Sequence, residues 1–95
     1  SLLRMLRMKS NFTLLRDLVM VLPLTEKTSK GGIVVVSEDK TAPGKGVVLS
    51  VGPDVKDLTF KDKVVYMRGE AREIKYEGDT ILVVKQADIL CKMID

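Results

Sequence analysis

The groups in this chain that most resemble catalytic pairs are carboxylates: Asp54 with Asp57, and Glu70 with Glu73. Acid–base work by such a pair needs burial or a close like charge to push one pKa away from the other. Both pairs sit in charged, turn-like sequence, so solvated surface charge is the simpler reading. Gly44-Lys-Gly46 and Gly31-Gly32 invite a phosphate-loop reading, but neither has Walker spacing or lies between a strand and a helix. The chain has no histidine, which leaves a metal only oxygen ligands, and no stretch carries calcium-loop spacing. Cys91 is the single cysteine, so no disulfide can form within the chain and a reducing compartment fits best. It lies in an apolar run without a histidine to activate it, and reads as a packing residue. No catalytic constellation emerges, and no enzyme activity, metal or cofactor is expected.

The segment with binding chemistry is Thr25–Lys45. Polar Thr25-Glu-Lys-Thr-Ser-Lys-Gly-Gly32 and Ser37-Glu-Asp-Lys-Thr-Ala-Pro-Gly-Lys45 enclose four aliphatic residues, Ile33-Val-Val-Val36. A connection this long is unusual inside a compact domain and is usually functional or disordered. Gly31 and Gly32 give the backbone freedom that must be surrendered if the segment orders. From pattern alone, Ile33–Val36 reads equally as one more core strand.

The elements that would carry this segment are short strands. Asp17–Leu22, Gly46–Val51, Lys63–Met67, Arg72–Tyr76, Thr80–Val84 and Ile89–Ile94 are rich in β-branched and aliphatic residues. Gly, Pro and charged turns separate them, which argues for an all-β barrel or sandwich. Tyr76-Glu-Gly-Asp79 is a hairpin turn, and Gln86-Ala-Asp88 a short turn or single helical turn. Several strands lack clean alternation: Val47 with Val48, Val64 with Val65, and Ile81 to Val84 place apolar side chains on both faces. In so small a barrel this predicts that part of the outer face is covered, most simply by a partner subunit.

With 95 residues there is room for one domain, and oligomerisation would stabilise it. Hydrophobic residues make up 45% and aromatics 4%, so the core must be aliphatic, and the apolar runs are too short to span a bilayer. The net charge of +3 is concentrated in residues 1–16, where Arg4, Arg7, Lys9 and Arg16 meet no acid. The rest of the chain is close to neutral and offers no electrostatic track for nucleic acid. An oligonucleotide-binding barrel would need aromatic platforms on a basic face, whereas Phe12, Phe60, Tyr66 and Tyr76 are scattered. Residues 1–11 read as an N-terminal extension whose status stays open, between a transit-like segment and a ragged start ahead of Met8.

Five pieces, in order, carry a family resemblance. Leu14-Leu-Arg-Asp-Leu-Val-Met-Val21 resembles the opening Pro-Leu-x-Asp-Arg-Val-x-Val strand of the GroES-type, ten-kilodalton co-chaperonins. Lys27-Thr-Ser-Lys-Gly-Gly-Ile-Val-Val35 is similar to their mobile loop, and Gly44-Lys-Gly-Val-Val-Leu-Ser-Val-Gly52 to their Gly-x-Val-x-x-Val-Gly strand. Phe60-Lys-Asp-Lys-Val-Val-Tyr66 stands where the family has Val-Gly-Asp-x-Val, and Ala87-Asp-Ile-Leu-Cys-Lys92 resembles the terminal strand. The chain departs from the pattern at Leu14, in place of proline, and at Val35, where leucine is common. Its N-terminus is extended and its 52–61 interval is shorter than the family's roof hairpin. Such departures suit a divergent or phage-encoded member.

The resemblance implies a partly open β-barrel domain over residues 12–95, with a mobile loop at about 25–42, assembling into a seven-membered ring. It implies that Ile33, Val34 and Val35 dock on a GroEL-type chaperonin, with Gly31 and Gly32 as the loop hinge. The first strand of one subunit, with Phe12, Leu14 and Leu18, would meet the last strand of its neighbour, with Ile89, Leu90 and Met93. ATP would belong to the partner chaperonin, and unfolded protein would be enclosed without direct recognition. The expected setting is the cytoplasm of a bacterium or infected cell, or else a mitochondrial matrix or plastid. The rival reading is a small oligomeric β-barrel that binds nucleic acid or serves as an adaptor.

Overall fold

The computed structural model describes residues 2–24 and 42–94. One helix, α1 (Leu2–Ser10), precedes six strands: β1 (Leu18–Pro23), β2 (Gly44–Val51), β3 (Lys63–Tyr66), β4 (Arg72–Tyr76), β5 (Asp79–Lys85) and β6 (Ile89–Met93). All neighbours are antiparallel, in the order β4-β5-β1-β2-β3-β6, so the sheet is not closed and has β4 and β6 as its edges. This is the all-β, partly open barrel expected from the strand pattern. The strand limits fall within two residues of the sequence reading, and Gln86–Asp88 forms a 3-10 turn. At the β4–β5 turn Glu77 (φ 49°) and Gly78 (φ 83°) adopt the left-handed conformations that a two-residue hairpin needs.

The double-faced strands are explained by two apolar clusters, one on each side of the sheet. Inside the barrel lie Val19, Val21, Val48, Val64, Tyr66 and Val84. On the outer side lie Met8, Leu14, Met20, Leu49 and Ile81. A bulge separates neighbours on β2: Met20 pairs with Ser50 and Val21 with Val48, leaving Leu49 as the extra residue. Val48 therefore belongs to the inner cluster and Leu49 to the outer one.

The cover on the outer cluster comes from the chain itself, which corrects the expectation that a partner subunit supplies it there. Leu, Met, Arg and Lys are strong helix formers, and residues 2–10 contain no Gly, Pro or β-branched residue. Met5 and Met8, one turn apart, and Phe12 beyond the helix end all face the sheet. Met8 is only 2% exposed. Ser10 Oγ donates to the Leu6 carbonyl and Asn11 Nδ2 to the Arg7 carbonyl, both at 2.8 Å, satisfying acceptors of the last turn. Arg7 and Lys9 in that turn complement the helix dipole. Arg4 Nε donates to Asp79 Oδ2 at 2.8 Å and ties the other end of α1 to the β4–β5 turn.

No strand lies between Val51 and Lys63. Val55 and Leu58 pack on the inner cluster and Phe60 on the outer one. The segment is pinned by the Lys56 N–H donating to Gln86 Oε1 at 3.0 Å and by Lys92 Nζ donating to the Asp57 carbonyl at 2.9 Å.

Candidate docking and assembly surfaces

The proposed docking residues Ile33, Val34 and Val35 and the hinge Gly31-Gly32 lie outside the described residues. What is described is their foundation. The chain leaves the sheet at Leu24, whose N–H donates to the Lys45 carbonyl at 2.9 Å, and returns at Gly44. Two glycines let β2 pass tightly at this point. A Cβ on Gly46 would lie 2.2 Å from Val21 Cγ1, and one on Gly44 would lie 2.7 Å from Tyr66 Cζ. The Tyr66 ring, 2% exposed, thus occupies the space a side chain at Gly44 would need, while Val21 and the Leu22 carbonyl occupy that at Gly46. Burial raises the Tyr66 phenol pKa, and the Arg68 charge opposes that rise. The base on β2 is therefore closely packed, and one backbone hydrogen bond ties Leu24 of the other strand to it.

The sequence-predicted assembly residues fall into two groups. Phe12 stacks edge-on against Tyr76, with ring centroids 5.2 Å apart and planes at 77°. Leu18 is partly buried against the outer cluster. Leu14, read from the resemblance as an interface residue, is 8% exposed and belongs to its own chain's outer cluster. The first strand, which the resemblance alone extends back to Phe12, starts at Leu18, because Arg16 turns left-handed at φ 55° and breaks the extended run. On β6, Ile89 packs inward beside Tyr66, Met93 is half-buried and Leu90 is 52% exposed. Leu90 is the extra residue of a second bulge, between the Val65–Cys91 and Tyr66–Ile89 pairs. Cys91 is exposed, not packed as its apolar run suggested, since its strand is a sheet edge beyond the reach of α1.

Nothing catalytic assembles among the described residues. They bring together no group of three or more metal-ligating side chains, and the carboxylates of Asp54, Asp57 and Glu70 stay exposed. The aromatic rings form no platform: Tyr66 is buried, Phe12 meets Tyr76, and Phe60 lies under the Lys9 ammonium at 4.7 Å. Sequence reasoning missed α1, although Met5, Met8 and Phe12 at three- and four-residue spacing carried its signal. An open groove of about 390 Å³ separates α1 from the β4–β5 turn, lined by Leu3, Arg4, Arg7, Tyr76 and Glu77 among others. No helix among the described residues is long and apolar enough to cross a membrane.

A sequence model of the family described as "Chaperonin 10 Kd subunit" matches residues 11–93. The chain belongs to the ten-kilodalton co-chaperonin family. It is 34% identical to the co-chaperonin GroES of Kineococcus radiotolerans, over 90% of this chain and 98% of that protein. It is 35% identical to co-chaperonin GroES 1 of Rhodopseudomonas palustris, over 86% and 94% respectively. With the GroES of Kosmotoga olearia the identity is 37%, over 72% of this chain and 79% of that protein. Function as a co-chaperonin follows from this membership, and nothing supports the nucleic-acid or adaptor alternative. Helix α1, residues 2–10, lies ahead of the family match although it is packed into the same fold.

Proposed function

We propose that seven copies of this co-chaperonin form a ring that caps a GroEL-type chaperonin by docking the 25–42 loops through Ile33, Val34 and Val35. The observation that carries this reading is the joining of a glycine-led aliphatic segment to a fixed base, Leu24 and Gly44, within a family-matched barrel. Burying each of those three side chains contributes roughly 1.5–3 kcal/mol. Ordering the loop costs about 1–2 kcal/mol per residue fixed, which cancels most of the gain. One loop therefore binds feebly, whereas several on one ring bind tightly by effective concentration and still release when the chaperonin changes state. Ile89, Leu90 and Met93 on β6 of one subunit meet the segment ahead of β1 of the next, near Phe12, which covers the open β6 edge; β1 itself, with Leu18, is already paired on both sides. The ring binds no nucleotide and performs no catalysis; ATP is held by the chaperonin. The ring works in a cytoplasm, a reading supported by the bacterial relatives and by an exposed free cysteine.

The test replaces Ile33, Val34 and Val35 together with serine and measures capture by a GroEL-type chaperonin with adenine nucleotide present. The expected result is loss of binding with the ring and its thermal midpoint unchanged. A variant that unfolds would show that the segment is core, since buried large-to-small changes cost about 2–5 kcal/mol each.

A further inference from the structure

Helix α1 is fastened at both ends, and one fastening lies on the segment between β2 and β3. Near its start, Arg4 Nε donates to Asp79 Oδ2 in the β4–β5 turn. Along its length, Met5 and Met8 join Ile81, Met20 and Leu49 of β5, β1 and β2 in the outer cluster. In its last turn, the Lys9 ammonium stands 4.7 Å from the centre of the Phe60 ring, and Lys61 brings a second ammonium to 5.9 Å. Phe60 itself packs on the outer cluster. The chain that follows the helix grips the other end of the same segment. Arg16 turns left-handed at φ 55°, and its carbonyl accepts from the Asp54 N–H at 3.0 Å.

Two departures from the family pattern meet at this contact. Helix α1 lies ahead of the family match, and Phe60-Lys61 stands where the pattern has Val-Gly. Lys61 keeps a left-handed backbone, φ 77°, that favours glycine, so its side chain is carried against a backbone preference. What accompanies it is an aromatic ring that collects one cation from Lys61 and another from α1. The middle of the segment has separate fastenings that involve no residue of α1. Val55 and Leu58 close the inner cluster, Gln86 holds Lys56, and Lys92 Nζ donates to the Asp57 carbonyl.

We propose that residues 2–16 form a strap that clamps the 52–61 segment to the barrel, with α1 holding its Phe60 end and Arg16 its Asp54 end. Release of α1 frees the Phe60 end while Gln86 and Lys92 keep the middle in place, so the segment opens as a flap from Lys56 and Asp57. The strap belongs to the single chain. Its consequence for the assembly, a segment kept away from the axis of the dome, rests on the ring reading.

The test is amide hydrogen exchange, read residue by residue, on the full chain and on its Lys9→Gln, Lys9→Arg and Arg7→Pro variants. The reporters are the Lys61 N–H, held by the Val48 carbonyl, and the Asp62 N–H, held by the Thr59 carbonyl. The references are the Lys56 N–H, held by Gln86 Oε1, and the β1–β5 ladder. Lys9→Gln should speed exchange at Lys61 and Asp62 by about two- to fivefold, the factor that an exposed cation–ring contact supplies. Lys9→Arg keeps a cation over the ring and should keep the parent's rates. Arg7→Pro breaks the helix at an exposed position and should speed both reporters further. The reference amides should hold their rates in Lys9→Gln. Unchanged reporters in Lys9→Gln and Arg7→Pro overturn the strap. A rise shared equally by reporters and references overturns it too, because α1 would then be a cover for the core and nothing more. Should Arg7→Pro unfold the chain, the two Lys9 variants decide. A parent chain that stays monomeric at micromolar concentration overturns the ring reading and leaves the exchange rates to judge the strap.

Discussion

Gly46 shows how far one missing side chain can matter. It sits on β2 opposite Pro23, with the Val21 side chain and the Leu22 carbonyl within 3 Å of where a Cβ would be. The Leu22 carbonyl is backbone and cannot swing aside, so Gly46→Ala must push β2 away from β1 or bend it. Overpacking of this kind costs about 1–3 kcal/mol. The same shift would move the Lys45 carbonyl, which holds Leu24, so the loop base should loosen as well. The expected outcome is a lower denaturation midpoint and weaker chaperonin capture, although no loop residue has changed. Gly78, with φ 83° and open space around it, has a different reason to be glycine: an added Cβ would strain the backbone and meet nothing.

At the scale of elements, α1 contributes what the strands cannot. Its Met8 is as buried as Tyr66 in the barrel interior. Met8→Ala should destabilise the chain by about 2–5 kcal/mol, read as a fall in midpoint in chemical denaturation. Met5→Ala, at a half-buried position, should cost less. An unchanged midpoint for Met8→Ala would mean that α1 is not docked on the sheet in solution. The strands were legible in the sequence because β-branched runs bounded by Gly, Pro and charge leave few alternatives, and Arg72–Tyr76 was recovered to the residue. The helix was not, because a short Arg-bearing, acid-free stretch also fits a transit-like or ragged segment, and its methionine spacing gains meaning only beside the bare outer face of the sheet. The bulge at Leu49 was equally hidden, since Val47, Val48 and Leu49 differ little in chemistry and only register separates their faces. Of the candidate site, β6 could be read directly, whereas the burial of Leu14 depends on the same unseen helix; the aliphatic segment Ile33–Val36 lies outside the described residues.

The whole molecule differs from the usual pattern of its family most clearly between Gly52 and Lys61. The family's roof hairpin needs two strands and a turn, and strands advance about 3.3 Å per residue. This interval has ten residues, begins with Pro53 after Gly52, and contains left-handed turns at Asp57 (φ 67°) and Lys61 (φ 77°). Its apolar side chains are already spent: Val55 and Leu58 close the inner cluster and Phe60 the outer one. Gln86 holds Lys56 in both directions, its Oε1 accepting from the Lys56 N–H and its Nε2 donating to the Lys56 carbonyl. Lifting the segment toward a ring axis would break these bonds and expose three apolar residues, at roughly 1.5–3 kcal/mol for each fully uncovered side chain. Seven such subunits should therefore make a dome with a wide axial opening, its chamber bounded by the ring wall alone. Image averages of the assembled ring, viewed down its axis, test this. An open centre is expected, and density crossing the axis from residues 52–61 would show that assembly does lift the segment from the barrel.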